Sequence, residues 1–240
     1  MIYGIILAAG SGSRMKTKDK KQFIKINNKP ILLYSIDKFL KVKKINRLII
    51  VINKNDFDNS IFKSLLKIYN KDISSGKINF VFGGKERYDS VYNALSFIYE
   101  YMDVKSKDKV LIHDSARPNV DINDINNLIK SLNKYKAVTL GYKLSDSIKL
   151  IKKSNNSLKQ VIKSIDRNSH YLISTPQGFD FKTIYNCYNN FVKAKKNLNI
   201  TDDLQIIENY SNIKCYILDS NKLNFKITTK DDLNMIKYII

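Results

Sequence analysis

Cysteine, histidine and long apolar runs are scarce in this 240-residue chain, and each scarcity closes off a class of function. The two cysteines, Cys187 and Cys215, form no CxxC pair and stand beside no cluster of other metal ligands, so they read as reduced thiols in or near a core. Two histidines, His113 and His170, are too few for a histidine-rich metal centre. No apolar stretch approaches the roughly 20 residues that span a bilayer. The N-terminus lacks the basic, apolar and small-residue regions of a signal peptide and runs straight into Ile2-Tyr3-Gly4-Ile5-Ile6-Leu7. The expectation is a cytoplasmic protein with no membrane partner. Acidic residues are also in deficit: 22 Asp and Glu against 42 Lys and Arg leave a net charge of +20. Such a charge suits nucleic acid, an anionic membrane or an anionic substrate. The lysines, however, are spread along the whole chain together with abundant Asn and Ile, and no element gathers Arg with aromatics. Compositional bias accounts for the charge, and no nucleic-acid partner is expected.

What is present is a normal globular share of hydrophobic residues, 43%, in an alternating pattern. Strands are expected at Ile2–Ala8, Leu48–Ile52, Ile78–Phe82, Lys109–His113 and Ala137–Tyr142. Helices are expected between them at Pro30–Val42, Asp56–Tyr69, Tyr88–Tyr101 and Asp121–Leu132, the second with Phe57, Ile61, Leu65 and Ile68 on its buried face. This order calls for an α/β, Rossmann-like fold: one domain over 1–240, with a mostly parallel sheet and helices on both faces. The polar stretch at about 145–167 breaks the pattern. It reads as a protruding two-stranded β-arm with Ser154-Asn155-Asn156-Ser157 at its tip. An isolated hairpin is marginal in water, so the arm needs a surface to lie against, and a second subunit is a candidate. Helices at Phe181–Lys195, Thr201–Tyr210 and Lys230–Ile240 and strands at Lys214–Leu218 and Leu223–Ile227 complete the reading.

In parallel sheets ligands sit at the carboxyl ends of strands. The first such end opens into Leu7–Phe23 (LAAGSGSRMKTKDKKQF), a loop too basic to fold on itself and too polar for a core. It is neither a Walker A motif nor GxGxxG, because Met15 stands at the third glycine position. Gly10 and Gly12 still let the backbone turn tightly and aim N–H groups at an anion, while Arg14 and Lys21 supply a fork and a point charge for phosphate. A solvated basic loop is the alternative. Further sheet-end stretches are Gly83–Val91, His113–Pro118, Ser174–Phe179 and Asn224–Thr228. Within them Asp114 and Arg117 read as a strand-end ion pair, and Asp89 and Ser90 as a late helix cap. Thr201-Asp202-Asp203 reads as an N-cap with an acidic first turn. Lys226, between apolar neighbours, calls for an anion.

Leu7–Met15, Lys21-Gln22, Gly83-Gly84-x-Glu86-Arg87-x-x-Ser90-Val91, His113-Asp114-x-Ala116-Arg117-Pro118, Asp166-Arg167-Asn168, Thr175-Pro176-Gln177, Thr201-Asp202-Asp203 and Asn224-x-Lys226-Ile227-Thr228 come in one order. That order resembles the methylerythritol-phosphate cytidylyltransferases over nearly the whole chain. The sister ribitol-5-phosphate cytidylyltransferases share the first loop, the HD-x-x-RP and the TPQ. The resemblance implies transfer of CMP from CTP to 2-C-methyl-D-erythritol 4-phosphate. It implies that Ala8, Ala9, Gly10, Ser11, Gly12 and Ser13 cradle the triphosphate, and that Gly83, Gly84, Arg87 and Ser90 serve the nucleotide. Arg14 and Lys21 would stabilise the pentavalent phosphorus. Asp114, Arg117, Thr175, Thr201 and Lys226 would hold the sugar phosphate, joined by Arg167 from the other subunit of a homodimer. The chain departs from the family at Lys20, where proline is common, at Ser115, where alanine is usual, and at Leu204, where a small residue is common.

Elementary chemistry agrees. A phosphate nucleophile is already ionised at neutral pH and needs no base, which matches motifs rich in Arg and Lys without a Ser–His or His–acid pair. Mg²⁺ or another divalent cation is expected on the phosphates, keeping most of its waters, with Asp114 as the one weak protein ligand. The rival readings are the ribitol-phosphate enzyme, a nucleic-acid-binding protein, and a sugar-nucleotide glycosyltransferase, which would want an Asp-x-Asp pair after a central strand.

Overall fold

A computed structural model describes residues 1–10, 20–153, 157–194 and 200–240. Its strands are β1 (Ile2–Ala8), β2 (Lys25–Ile26), β3 (Lys29–Pro30), β4 (Arg47–Ile52), β5 (Ile78–Phe82), β6 (Lys109–Asp114), β7 (Ala137–Lys143), β8 (Ile148–Ile151), β9 (Val161–Ile165), β10 (Tyr171–Asp180) and β11 (Tyr216–Asp219). Its helices are α1 (Ile31–Lys41), α2 (Ser60–Ile68), α3 (Asn70–Ser74), α4 (Arg87–Tyr101), α5 (Ile122–Ser131), α6 (Phe181–Ala194), α7 (Leu204–Tyr210) and α8 (Lys230–Ile236). Seven strands form the main sheet in the order β11-β7-β10-β6-β1-β4-β5. All pair in parallel except β10, which runs antiparallel to both neighbours. The α/β class and the mostly parallel sheet are as the alternation predicts.

Both faces of the sheet are covered because its central strands carry apolar residues on both sides, as the run Leu48–Ile52 of β4 shows. On β4, Leu48, Ile50 and Ile52 face α1, α2 and α5, while Ile49 and Val51 face the cluster formed by α4, α6 and α7. Each fully buried aliphatic side chain contributes about 1.5–3 kcal/mol. A third, smaller cluster of Ile26, Ile31, Ile227 and Ile236 fastens the C-terminal segment to the β2–β3 turn. Side-chain caps start several helices: Asn59 accepts from Ile61 N at 2.8 Å, and Asp121 accepts from Asn123 N at 2.7 Å.

Four expectations need correction. The helix expected from Asp56 begins at Ser60, and its buried face carries Phe62, Leu65 and Tyr69; Phe57 and Ile68 are 48% and 61% exposed. Leu223–Ile227 is not a strand. The Asn224 carbonyl accepts from Arg117, and the Ile227 N–H and carbonyl bond to Ala116 and Lys21, so side chains and a loop stand where a ladder would. The helix expected from Thr201 begins at Leu204. The fourth is an omission: β10 contains Pro176 and Gly178, residues that argue against a central strand. The strand survives because its register against β7 shifts between Ile173 and Gln177, the interval that holds Pro176. The arm's strands pair as expected, Ile148 opposite Ile165; Ser154-Asn155-Asn156 of its tip lie outside the described residues.

Candidate active site

The carboxyl ends of β1, β4, β5 and β6 open onto a cavity of about 430 Å³. Ala8, Ala9 and Gly10 line it from β1, with Lys21 and Gln22 from a short 3₁₀ turn, Asn53 after β4, Gly84 to Arg87 and Ser90 after β5, Asp114 to Ala116 after β6, and Lys226 and Thr228. A second cavity of about 260 Å³ adjoins it, lined by Arg117, Ile173, Ser174, Thr175, Gln177, Thr201 and Asp202. Arg87, Asp114 and Lys226 line both.

The Gly83–Gly84 turn beside the first cavity is set by close approach. A Cβ on Gly83 would lie 2.4 Å from Ala9 Cβ and 2.7 Å from Ser90 Oγ. Gly84 N donates to Ser90 Oγ at 3.2 Å, so Ser90 orders this turn where a helix cap was the alternative. The capping box is made instead by Glu86 and Asp89, whose carboxylate accepts from Glu86 N at 2.9 Å.

The boundary between the cavities is a network of four charges. Arg87 lays its fork on Asp203, Nη1 to Oδ1 at 2.9 Å and Nη2 to Oδ2 at 2.8 Å, and points Nε at Asp114 Oδ1 at 3.2 Å. Lys226 Nζ takes the other oxygen of Asp114 at 2.7 Å. Asp203 is fully buried and also accepts from Tyr188 Oη at 2.6 Å, while its N–H donates to Gln177 Oε1 at 2.8 Å. Burial alone would favour a protonated Asp114, but Arg87, Lys226 and Arg117 reverse this and hold it well below the ordinary carboxylate range. Burial likewise opposes the charge on Arg87, and Asp203 and Asp114 outweigh it, holding the guanidinium firmly protonated.

This geometry revises several expectations. Asp203, read as an acidic residue of the first turn after a Thr201 cap, stands just before the helix, makes no side-chain cap bond and is the clasp for Arg87. Arg87, assigned to the nucleotide, has its fork on protein carboxylates. Arg117 forms no strand-end pair with Asp114; it donates to the carbonyls of Asn224 at 2.9 Å and Ile173 at 3.4 Å, and its buried Nε has no partner among the described residues. Asp114 is a poor metal ligand, since both its oxygens face cations, and no three His, Cys, Asp or Glu side chains among the described residues converge to hold a metal. The anion that Lys226 called for is Asp114.

Of the other predicted residues, Ala8, Ala9, Gly10, Lys21, Gly84 and Ser90 meet in the first cavity, and Thr175 and Thr201 in the second. Lys21 donates to the Ile227 carbonyl at 2.8 Å. Ser11, Gly12, Ser13 and Arg14 lie outside the described residues. Arg167 lines neither cavity of its own chain; it is exposed and donates to the Ser145 carbonyl. The sequence reading gave no role to Tyr188, Gln177, Asn224 or His113. Gln177, Asn224 and His113 stood inside the motifs, whereas Tyr188 carries only the helical spacing of a core residue.

A mostly parallel sheet whose first strand end, glycine turn and clustered cations frame one cavity, with a second beside it, has the arrangement of a nucleotidyltransferase, an enzyme that transfers a phosphorus-containing group. The chain belongs to the 2-C-methyl-D-erythritol 4-phosphate cytidylyltransferase family, whose sequence model matches residues 2–240. It is 38% identical over 242 residues to the 2-C-methyl-D-erythritol 4-phosphate cytidylyltransferase of Clostridium botulinum (strain Eklund 17B), covering 100% of this chain and 99% of that protein. It is 41% identical over 229 residues to the one from Clostridium acetobutylicum, covering 95% and 93%. The crystal structure of 4-diphosphocytidyl-2C-methyl-D-erythritol synthase from Anaerococcus prevotii superposes with a TM-score of 0.80 at 31% identity, over 99% of this chain and 95% of that one. The Francisella tularensis 2-C-methyl-D-erythritol 4-phosphate cytidylyltransferase gives 0.77 at 30%, over 100% and 99%.

Proposed function

We propose that this chain transfers CMP from CTP to 2-C-methyl-D-erythritol 4-phosphate, releasing pyrophosphate and forming 4-diphosphocytidyl-2-C-methyl-D-erythritol. The observation that carries this reading is the pair of adjoining cavities that share Arg87, Asp114 and Lys226. Two phosphorylated substrates that must react with each other need two pockets with a common wall. The larger takes CTP, its triphosphate against Ala8–Gly10 and the following loop and its base near Gly83, Gly84 and Ser90. The smaller takes the sugar phosphate, beside Arg117, Thr201 and Lys226.

An oxygen of the acceptor's phosphate attacks the α-phosphorus, a new P–O bond forms, and the bond to the β-phosphate breaks as pyrophosphate leaves. The nucleophile is ionised beforehand, so no general base takes part. Lys21 and Arg14 stabilise the charge that builds on the equatorial and leaving oxygens. Lys226 orients the attacking phosphate. A divalent cation, Mg²⁺ in this reading, would neutralise charge on the triphosphate; Asp114, committed to Arg87 and Lys226, would not hold it. The protein acts in the cytoplasm as a homodimer in which the arm brings Arg167 to the neighbour's sugar phosphate. Exposed Leu150, Val161 and Ile162 on the arm support this reading, because two strands alone leave them uncovered.

Pyrophosphate release, measured with each nucleoside triphosphate and both acceptors, tests the assignment. The expected result is a preference for CTP and methylerythritol phosphate in kcat/KM; a preference for ribitol 5-phosphate overturns the acceptor and leaves the class intact. Subunit exchange between Arg14→Ala and Arg167→Ala tests the dimer. Under two-fold pairing, about half the dimers from an equal mixture are mixed, and one site in each is whole, so roughly a quarter of all sites should be active. Activity at the mutants' own baseline would place Arg167 in its own chain's site or outside any site.

A further inference from the structure

His113, the last residue but one of β6, is completely buried and enters none of the steps above. Its ring nitrogens face different partners. Nε2 is 3.2 Å from the Arg117 carbonyl, with Ser35 Oγ farther away at 3.4 Å. Nδ1 is 3.0 Å from Thr175 Oγ1. The same hydroxyl oxygen lies 3.1 Å from the Asp114 backbone N–H. A carbonyl oxygen can only accept, so a bare Nε2 would set lone pair against lone pair; the Nε2 proton is required. In a neutral imidazole Nδ1 is then an acceptor, and the one proton available to it is that of the Thr175 hydroxyl. The bonds therefore run in a single direction: Asp114 N–H donates to Thr175 Oγ1, Thr175 Oγ1–H donates to His113 Nδ1, and His113 Nε2–H donates to the Arg117 carbonyl.

We infer that His113 is a positioning residue for the acceptor site: as the Nε2–H tautomer it draws the Thr175 hydroxyl inward and ties the Asp114–Arg117 turn of β6 to the β10 loop. Two consequences follow. Thr175, assigned to the sugar phosphate, has no hydroxyl proton left for a ligand; it acts through the backbone of Asp114. The main-chain positions from which Asp114 and Arg117 face the second cavity are set by one buried ring, which α1 supports from behind through Ser35 and through Phe39, whose ring centroid lies 5.2 Å from that of His113. The functional part of this inference rests on the acceptor assignment proposed above; the tautomer does not.

The two parts are therefore tested separately. Imidazole ¹⁵N NMR of the substrate-free protein reads the tautomer directly. The chain has only two histidines, and exposed His170 bonds the Asp166 carbonyl through Nδ1 at 2.6 Å, the opposite nitrogen. His113 should show a bare Nδ1 and a protonated Nε2, assigned by loss of its signals in His113→Asn; a protonated Nδ1 overturns the inference whatever the enzyme's substrate. Steady-state kinetics with each substrate varied then tests the role. His113→Asn places an acceptor near the Nδ1 position and should stay within about threefold of wild type. His113→Phe and Thr175→Val should each raise the acceptor KM about tenfold or more, with the CTP KM nearly unchanged, and Thr175→Ser should restore it. If Thr175→Val is impaired while His113→Phe is not, the hydroxyl serves the ligand directly and the inference falls. It also falls if losses in all variants simply follow their melting temperatures and affect both substrates alike. Loss of acceptor selectivity already in the wild type would indict the substrate assignment and leave the tautomer result standing.

Discussion

Lys226 places its ammonium 2.7 Å from Oδ2 of Asp114, across 112 residues of sequence, while Arg87 takes the other oxygen. The carboxylate thus serves two cations at once. Replacing it with the isosteric amide, Asp114→Asn, removes the charge that balances both. Breaking a buried pair by neutralising one partner costs roughly 3–5 kcal/mol, so the urea midpoint should fall steeply. An unchanged midpoint would mean that water screens the network.

Asp203 clasps Arg87 from behind, and Tyr188 steadies Asp203. Tyr188→Phe removes one hydrogen bond to a charged group and should cost about 1.5–3 kcal/mol, read by thermal denaturation. Asp203→Asn should cost more, because it also leaves the Arg87 fork without its counter-charge. The reverse order would show that the tyrosine hydroxyl, not the ion pair, holds this corner.

Gly83→Ala inserts a methyl where Ala9 Cβ would be 2.4 Å away and Ser90 Oγ 2.7 Å away. The turn has to move, at about 1–3 kcal/mol for overpacking. The expected signature is a CTP KM raised tenfold or more with far-UV circular dichroism intact. A wild-type KM would show that the turn does not shape the nucleotide pocket.

Lys21→Ala should lower kcat by roughly 10²-fold, the scale of a lost preorganised donor, with a smaller change in CTP affinity. A large rise in KM at constant kcat would instead make Lys21 a ground-state binder.

Burial holds His113 down to about pKa 4. Around it stand Asp114 and Arg117 from its own turn, Ser35 from α1 and Thr175 from β10. The unfolded chain takes up the proton near pH 6.5, so between there and about pH 4 the unfolded state binds more protons and stability falls as pH falls. This group alone accounts for a loss on the order of 3 kcal/mol. Asp114, whose folded pKa is depressed, adds a loss that begins as pH falls into the ordinary carboxylate range, where the unfolded chain takes up the proton, and this loss is shared by wild type and variant. Urea midpoints between pH 7 and 4 should therefore fall more steeply for the wild type than for His113→Phe; parallel slopes would refute the assignment.

The parallel half of the sheet was legible because β1, β4, β5 and β6 are short apolar runs separated by helical periodicity, and such patterns admit few alternatives. β10 was hidden by Pro176 and Gly178, since sequence does not disclose a register shift that releases a proline from the ladder. Leu223–Ile227 misled in the opposite sense. Its residues suit a strand, yet Arg117, Lys21 and Ala116 occupy the backbone groups that a neighbouring strand would need. In the site, the motifs located the residues but not their partners. Asp203 looks like a first-turn acid from its neighbours, and its true contact, Arg87, lies 116 residues away. Charge balance can be counted in a sequence, but the pairing cannot.

Strands β6 and β7 follow each other in the chain but are held apart in the sheet by β10. A chain growing from its N-terminus therefore reaches Lys143 with β6 still an open edge and β7 paired to nothing. Both wait until Asp180 has been made and β10 can slide between them, and β7 gains its other neighbour only with β11. An open edge of this kind invites mispairing during synthesis. The wall shared by the two cavities lies on that late seam, with Asp114 on one side of it and Thr175 on the other. Chains that stop before β10 accordingly hold the first strand and its cationic loop but no second pocket, whose lining is finished only when Thr201, Asp202 and Lys226 have followed.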